Sequence, residues 1–439
     1  MYKKEEEQLN EYKKIYDQIP VSLQSIDDAI LAGYQRAKFE GKQKPKRKKW
    51  LFSLAATALL LIGFFTTIRL SPAFANYITV IPGMERVVEL IRHDKGIMLA
   101  IENDYYQKLG ASEEKSGIQV TIDGAIADED GMVLFYNVRS KEKYKNIYVD
   151  NAFVNSINGE KLNLSSASFG STYFSFAEKS SYNGTLEYYY QTPFKTKELE
   201  LSLEIKGDIS EKYKIPFTLV KDIKQKKTYE LNKTVEIAGQ KVTFISAIVQ
   251  PLRVAVHVKK DPNNTKKLLN FDDLRLVDEN GESWNKITNG TTASKISDDE
   301  EIIYLQSNYF RQPKELYLAL NKVQAVDKGE EYVVVDVEQG EILKQPKGNL
   351  LKSVKVSGSY IDFTMAAKKD FPYFLFSEIK DGKGNEIQSE SSFSRGLGDE
   401  EEKSFGVNIP GLKNQEGPIS LKLSFFPSWI EDDVKIKIN

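Results

Sequence analysis

Apolar and polar residues follow three different patterns along this 439-residue chain. Residues 50–68 carry no charge, residues 19–37 and 84–109 repeat apolar positions every three or four residues, and the chain after Gly117 alternates every second residue. A period near 3.6 indicates a helix, and a period of 2 indicates a β-strand. The pattern therefore predicts a mainly β protein, preceded by helical segments and one long apolar helix.

The stretch from Trp50 to Ile68 predicts a transmembrane helix. Its 19 residues include ten Leu, Ile or Phe, and at about 1.5 Å per residue they span roughly the hydrocarbon core of a bilayer. Eight Lys or Arg lie in the 15 residues before it, but only Arg69 lies in the 15 after it. Because Lys and Arg collect on the cytoplasmic side, we expect a single-pass protein of the cell membrane. Residues 1–49 would be cytoplasmic, 50–69 would span, and 70–439 would be extracellular.

A cleaved signal peptide is the alternative interpretation of the same stretch. Ala73-Phe74-Ala75, just beyond it, has the small-x-small pattern of a cleavage site. A signal peptide, however, has a short basic leader and an apolar core of about 7–15 residues, whereas 49 residues precede this longer core. We therefore favour a retained anchor and keep Ala73 and Ala75 as a candidate proteolytic site.

The N-terminal segment, residues 1–49, predicts an amphipathic helix followed by a basic tail. One face of the helix carries Ile19, Leu23, Ile26, Ile30 and Tyr34. Fewer than fifty residues cannot enclose a core of their own, so this face must cover a partner protein, the membrane surface or a second copy. Acidic residues lie at the centre of its polar face, unlike in basic membrane-binding helices, which favours a protein partner.

Residues 70–112 predict a helical segment between the membrane and the outer domains. Pro82 would begin a first helix that ends near Gly96, and a second helix would continue to Gly110. The apolar face of the first helix comprises Met84, Val87, Val88 and Ile91, and that of the second comprises Ile97, Ile101, Tyr105 and Leu109.

The alternating part of the chain contains repeats. Ala125-Ile126 recurs as Ala247-Ile248, and Asn158-Gly159-Glu160 recurs as Asn280-Gly281-Glu282, both at an offset of 122 residues. The run ELELSL recurs as ELYLAL 117 residues later, and a weaker third copy reads PISLKL. Similar features in the same order, with short strands, predict three tandem Ig-like β-sandwiches of about 100–120 residues each. We place them at residues 113–222, 223–339 and 340–439.

Composition excludes several classes of function. There is no cysteine, which removes thiol catalysis, disulfides and Cys-zinc sites. The chain has two histidines, His93 and His257, and we interpret both as structural. The acidic runs 297–301 and 399–402 lack the spaced ligands and glycine of a calcium loop. The part after residue 49 has a net charge of −6, which argues against nucleic acid. We predict no enzyme activity, metal or cofactor.

An aromatic cluster is the best candidate for a ligand-binding surface outside the membrane. It comprises Tyr173, Phe174, Phe176, Tyr182, Tyr188, Tyr189 and Tyr190. Tyrosines can stack on a wall polymer or a protein ligand, but Tyr and Phe are also common in strands. Asn183-Gly184 would turn a hairpin between the two aromatic runs. The structural interpretation is favoured.

Three stretches resemble known families. IPVSLQSIDDAILAGYQRAK, followed by the basic run and the apolar span, resembles the cytoplasmic ends of membrane-anchored anti-sigma factors for extracytoplasmic-function sigma factors. SPAFANYITVIPGMERVVELIRHDKG through VTIDGAIADEDGMVLFY resembles an uncharacterised membrane-anchored domain family of low-GC Gram-positive bacteria, some members of which are described as sigma-factor negative effectors. KTVEIAGQKVTFISAIVQPLRVAVHV resembles the Ig-like domain that often follows it. The His-x-x-x-Cys-x-x-Cys motif of zinc-binding anti-sigma factors is missing.

The resemblance implies an anti-sigma factor that holds an extracytoplasmic-function sigma factor inactive at the membrane through residues 1–49. The outer β domains would then sense the state of the cell envelope. The competing interpretation is a cell-surface binding or structural protein with an inert cytoplasmic tail.

Overall fold

The computed structural model describes residues 90–91, 94–170, 173–176, 181–287, 291–366, 371–397 and 402–439. The predicted cytoplasmic helix, the apolar stretch 50–68 and the candidate cleavage site lie outside these residues. Within the described ranges, no helix is both long and apolar enough to cross a membrane. The prediction of a mainly β protein is confirmed, because antiparallel strands account for most of the described chain.

The first sandwich is built from nine strands that form two sheets around one core. The strands are β1 (Gln107–Lys115), β2 (Ile118–Asp128), β3 (Gly131–Ser140), β4 (Ile147–Ser156), β5 (Leu164–Gly170), β6 (Tyr173–Phe174), β7 (Ser181–Tyr190), β8 (Glu198–Gly207) and β9 (Glu211–Thr218). The sheet orders are β1-β2-β3-β7-β5 and β6-β4-β8-β9. Alternate residues such as Leu134 in β3 and Leu201 in β8 share the core between the two sheets.

The second sandwich repeats this arrangement. Its strands are β10 (Lys227–Ile237), β11 (Gln240–Val249), β12 (Arg253–Lys260), β13 (Lys266–Phe271), β14 (Arg275–Asp278), β15 (Ser283–Asn285), β16 (Ala293–Lys295), β17 (Glu300–Gln306) and β18 (Leu316–Asp327). One sheet has the order β10-β11-β12-β17-β16, and the other has the order β13-β18-β14-β15. The repeated dipeptide Ala125-Ile126 lies in β2 and its copy lies in β11, the second strand of the matching sheet.

The third sandwich comprises β19 to β27. These are β19 (Tyr332–Asp336), β20 (Glu341–Lys344), β21 (Leu351–Ser357), β22 (Tyr360–Ala366), β23 (Phe376–Lys380), β24 (Glu386–Ile387), β25 (Ser391–Leu397), β26 (Glu402–Asn408) and β27 (Ile419–Leu423), with a 3₁₀ turn at Leu412–Asn414. The sheet orders are β20-β19-β27-β23-β24 and β21-β22-β26-β25. Phe363 and Phe405 lie in its core.

Strand pairing differs from the predicted domain limits at two elements. The last strand, β28 (Trp429–Lys437), was expected in the third domain, but it pairs with β18 of the second sandwich. Strand β19 was expected in the second domain, but it pairs with β27 of the third. The second sandwich therefore contains a strand that follows the third sandwich in sequence, and the third contains a strand that follows the second.

The prediction of a second helix running to Gly110 is wrong. The helix α1 covers Lys95–Glu102, and β1 already begins at Gln107, so Leu109 belongs to a strand. Gly96 does not end a helix but lies in the first turn of α1. The backbone at Asp104 is left-handed, with φ of 56°, which turns the chain out of the helix toward β1.

Asn183-Gly184 does not turn a hairpin either, because both residues lie inside β7. Gly184 lies against the ring of Tyr136 in the neighbouring strand β3, and a Cβ at position 184 would lie 2.6 Å from Cε1 of that ring. The glycine therefore makes room for a buried tyrosine of the neighbouring strand and is not there to reverse the chain.

Candidate functional site at the helix joint

The short helix α1 begins with an Asp cap. The backbone N–H of Ile97 donates to Oδ1 of Asp94 at 3.0 Å, which satisfies one of the free amides of the first turn. Ile97, Ala100 and Ile101 are buried. Eight residues are too few for a stable isolated helix, so packing must hold α1 in place.

Helix α1 packs between the first and second sandwiches. Its buried face shares an apolar cluster with Ile91, Tyr105, Tyr106, Ile126, Val133, Phe135, Tyr189 and Leu252. Leu99, on another side of the helix, joins the core of the second sandwich. We call this contact, together with the charged residues around it, the helix joint.

The helix backbone approaches the second sandwich closely at Gly96. A Cβ at this position would lie 2.4 Å from the backbone nitrogen of Ser307, so only glycine fits without displacement. Beside it, Nζ of Lys95 lies 2.9 Å from a carboxylate oxygen of Glu282 and donates to the carbonyl of Ser283 at 3.0 Å. The Lys95 ammonium also lies 4.4 Å from the ring centroid of Trp284.

The turn between β2 and β3 makes polar contacts with the second sandwich. The backbone N–H of Leu252 donates to Oδ2 of Asp128 at 3.1 Å. Nε2 of Gln250 donates to Oδ2 of Asp130 at 2.6 Å, and Nζ of Lys226 reaches the same oxygen at 3.0 Å. The turn Asp128-Glu129-Asp130-Gly131 joins β2 to β3, and its two aspartates also bridge the domains.

Arg253 lies at the centre of the joint. Its guanidinium carbon is 3.5 Å from the ring centroid of Tyr189 in the first sandwich and 3.7 Å from that of Tyr304 in the second. The side chain is buried, and its Nη1 makes no hydrogen bond within the described residues. A desolvated cation between two aromatic faces is a strong and specific contact.

Three carboxyl groups of the joint have raised pKa values. Burial raises the pKa of Asp94 to about 6, although hydrogen bonds from the amides of Ile97 and Gly96 lower it in part. Burial raises the pKa of Asp128 to about 6, although amide hydrogen bonds and Arg253 oppose it. Burial and repulsion from Asp94 raise the pKa of Glu187 to about 7, and Arg253 again lowers it. The joint therefore carries groups that titrate near neutral pH.

Tyr105 connects the helix end to the interdomain linker. Its hydroxyl donates to the carbonyl of Ala127 at 2.7 Å and accepts from the backbone N–H of Lys224 at 3.1 Å. Its ring lies 5.2 Å from that of Phe310. Burial raises the pKa of Tyr105 above its ordinary value, so the hydroxyl stays protonated and able to donate.

The predicted partner-binding and proteolytic residues are not among those that the structure describes. They are Ile19, Leu23, Ile26, Ile30, Tyr34, Ala73 and Ala75. His93 also lies outside the described ranges. His257 lies in β12, and its Nε2 is 2.7 Å from a carboxylate oxygen of Glu300. No group of three or more potential metal ligands occurs in the part of the chain that is described.

The aromatic cluster is mostly core. Phe174, Phe176, Tyr188 and Tyr190 are buried in the first sandwich, and Tyr182 stacks on Phe174 with 4.9 Å between ring centroids. Tyr189 points to the opposite face of its sheet, where it contacts Arg253. One member thus belongs to the helix joint, and Phe174, Phe176, Tyr188 and Tyr190 belong to the core and not to an exposed binding face.

Sequence reasoning did not find Arg253, Glu187 or the capping role of Asp94. A signal for the joint was nevertheless present in β3, whose run Met132–Tyr136 is apolar at every position. An unbroken apolar strand is buried on both faces. Leu134 and Tyr136 face the sandwich core, whereas Val133 and Phe135 face the helix joint.

Comparisons with known proteins match two families. Residues 44–140 match a domain of unknown function (DUF4179), and residues 226–346 match a family of unknown function (DUF5643). The first match runs from the basic tail before the predicted span, through α1, to the end of β3, and the second runs from β10 to β20. No curated protein matches the chain.

One of the solved structures that match is similar over part of the chain. It is described as the crystal structure of the conserved domain protein from Bacillus anthracis. The similarity covers 54% of this chain and 84% of that one, at 15% sequence identity and a TM-score of 0.38. A similarity of this strength decides nothing about fold or function.

Proposed function

We propose that this protein is a single-pass membrane protein that acts as an anti-sigma factor. Its N-terminal segment would sequester an extracytoplasmic-function sigma factor in the cytoplasm. Its three sandwiches, which we assign to the Ig-like class, would sense the state of the envelope outside the cell. The match of residues 44–140 to a domain of unknown function supports the resemblance that suggested this role, because the matched region joins the predicted span to the first sandwich.

The observation that carries the proposal is the position of α1. Only 26 residues separate Ile68, the end of the predicted span, from Lys95. Helix α1 is held between two outer domains and is not attached to one of them alone. A change in the contact between the two sandwiches must alter the packing of α1 and so reach the chain that enters the membrane.

The first experiment tests the cytoplasmic end. Residues 1–49 should co-purify with a sigma factor, and Leu23→Asp should abolish the complex because it places an unpaired charge in an apolar contact. Gln24→Ala, on the polar face, is the matched control. Deletion of the gene should induce a sigma-dependent regulon. If no such regulon responds, the protein is a surface-binding or structural protein with an inert tail.

The second experiment tests the link between α1 and signalling. Gly96→Val should displace α1 from Ser307 and switch on the regulon without an envelope signal. Gly396→Val is the control, because a Cβ at Gly396 would meet no atom within 4 Å. If Gly96→Val leaves both the regulon and its induction unchanged, α1 does not relay the signal.

A further inference from the structure

The second and third sandwiches exchange strands. In the first sandwich, β9 follows β8 after three residues and pairs with it as a hairpin, from Glu198 opposite Thr218 to Ile205 opposite Glu211. The strands that follow β18 and β27 do not pair in this way. Strand β19, which follows β18, pairs with β27, and β28, which follows β27, pairs with β18. Each fills the position that β9 has in the first sandwich.

The connections do not force this exchange. Four residues link β18 to β19, and five link β27 to β28. Both lengths are compatible with a hairpin. The family match over residues 226–346 also includes β19 with the strands of the second sandwich, so β19 belongs to that domain in sequence but not in pairing.

Strand length explains why exchange is favoured. The 12-residue β18 pairs with the 9-residue β28, and the two 5-residue strands β19 and β27 pair with each other. A β18–β19 hairpin would leave much of β18 as an open edge, with backbone groups unpaired and apolar side chains exposed.

The edge of β18 binds β28 through alternate apolar side chains. Leu318 lies opposite Ile436, Leu320 lies opposite Val434, and Val323 lies opposite Ile430. Val434 and Ile436 are buried in the core of the second sandwich. On the outer side, Nδ2 of Asn321 donates to Asp433 at 3.0 Å.

Both ends of the bound strand are anchored. At its start, Nε1 of Trp429 donates to Asp272 at 2.6 Å, and the same carboxylate accepts from Gln324 at 2.7 Å. At its end, the backbone N–H of Leu316 donates to Oδ1 of Asn439 at 2.7 Å, and the carbonyl of Leu316 accepts from Ile438 at 2.8 Å.

We propose that the edge of β18 is a binding site for an extended β-strand peptide with alternating apolar residues, and that its resident ligand is the chain's own C-terminal strand. The third sandwich holds this ligand in place through the short connection after β27. Withdrawal of the third sandwich would therefore empty the site and open the second sandwich. This inference is independent of the proposed function.

Engineered disulfides in the full chain test the pairing, and the natural absence of cysteine makes the result unambiguous. The pairs K322C/E431C and V334C/S420C join residues that lie opposite each other across the exchanged strands. Both should oxidise within one chain, as detected by mass spectrometry of non-reduced peptides. The recombined pairs K322C/V334C and S420C/E431C are the controls, because they join strands that neighbour each other only without exchange. Oxidation of the controls, or cross-linking only between two chains, would overturn the proposal.

Peptide binding tests the site itself. In the full-length double variant Val434→Asp with Ile436→Asp, solubilised in detergent, the resident strand should leave the site. A fluorescein-labelled peptide of residues 428–439 should then bind at least ten times more tightly to the variant than to the wild type. The same peptide carrying both Asp substitutions should not bind. Equal binding to both proteins, or no binding to a folded variant, contradicts the proposal, and the disulfide pairs decide the question if the variant does not fold.

Discussion

The second sandwich contacts its two neighbours in different ways. At the helix joint, side chains of the first sandwich, α1 and the second sandwich pack together, and no described strand pairs across the two domains. Toward the third sandwich, backbone ladders cross the boundary in both directions. A contact made of side chains can open while both domains stay folded, whereas an exchanged strand can leave only by breaking a sheet.

The two contacts also differ in charge. The helix joint contains Arg253 with Asp94, Asp128 and Glu187, whose pKa values are raised. The exchanged strand is held mainly by apolar pairs and backbone hydrogen bonds. Conditions that change protonation should therefore act on the first contact and leave the second largely unaffected. The helix joint is therefore suited to regulation, whereas the exchanged strands join the second and third sandwiches into one mechanical unit.

The largest effect is expected from a cavity in the third core. Phe363→Ala should lower the free energy of unfolding by about 3–5 kcal/mol, because Phe363 is fully buried. Hydrogen exchange should show faster exchange in β17 of the second sandwich as well as in β22, whereas β3 of the first sandwich keeps its protection. The control, Leu134→Ala, should affect the first sandwich alone. Unchanged protection of β17 in Phe363→Ala would mean that the two domains unfold separately.

The next effect concerns the helix joint. Arg253→Met keeps apolar packing between Tyr189 and Tyr304 but removes the cation that lies between the two rings, so we expect the joint to weaken by about 2 kcal/mol. Limited proteolysis should then cut the linker between β9 and β10 faster, without loss of either sandwich. In the control Arg139→Met, at an exposed position of β3, the protease should cut the linker at the wild-type rate. Equal linker cleavage in both variants would show that Arg253 does not hold the joint.

The contrast between the two contacts also separates what sequence could and could not predict. Alternation after Gly117 and the repeats of ELELSL predicted strands and tandem sandwiches, because local burial sets that pattern. The sequence of β19, YVVVD, fits any sheet equally well, so its partner depends on the lengths of distant strands. The helical spacing of Ile97, Ile101 and Tyr105 continued to Leu109, past the true helix end, because alternate residues of β1 are also partly shielded from solvent.

The helix joint was missed for a related reason. Arg253, Glu187 and Asp94 are far apart in sequence, and each looks like an ordinary exposed charge next to apolar neighbours. Only the packing of α1 brings them together and removes water. The run Asp128-Glu129-Asp130-Gly131 is typical of a turn, but a turn signal does not reveal contacts with another domain.

The helix joint should be more stable in mild acid than at neutral pH. Asp94, Asp128 and Glu187 have pKa values of about 6 to 7 when folded, above the values near 4 expected in an unfolded chain. The folded state then binds more protons, so the stability of the joint is full below about pH 4 and falls as pH rises through 6 to 7.

Linker cleavage measured from pH 5 to pH 8 checks this dependence, since it reports opening of the joint. Glu187→Gln should flatten the profile, because a neutral amide needs no proton, while Glu142→Gln on an exposed loop should leave it unchanged. A wild-type profile that is flat, or that shows tighter packing at high pH, contradicts the assignment of these carboxyls to the joint.

The smallest effect compares one ion pair from each contact. Lys95–Glu282 and Lys437–Glu315 both have N–O distances of 2.9 Å, but the lysine side chains are 33% and 54% exposed. Lys95 also donates to a carbonyl and lies over Trp284. Lys95→Ala should therefore lower the free energy of unfolding by about 1 kcal/mol. Lys437→Ala should have no measurable effect, because solvent screens the pair and the backbone ladder already fixes the strand. Chemical denaturation of both variants at low and high salt separates the two cases. If Lys437→Ala proves the more damaging, charge at the end of β28 contributes to holding the exchanged strand, and the distinction between a charged joint and an apolar one must be redrawn.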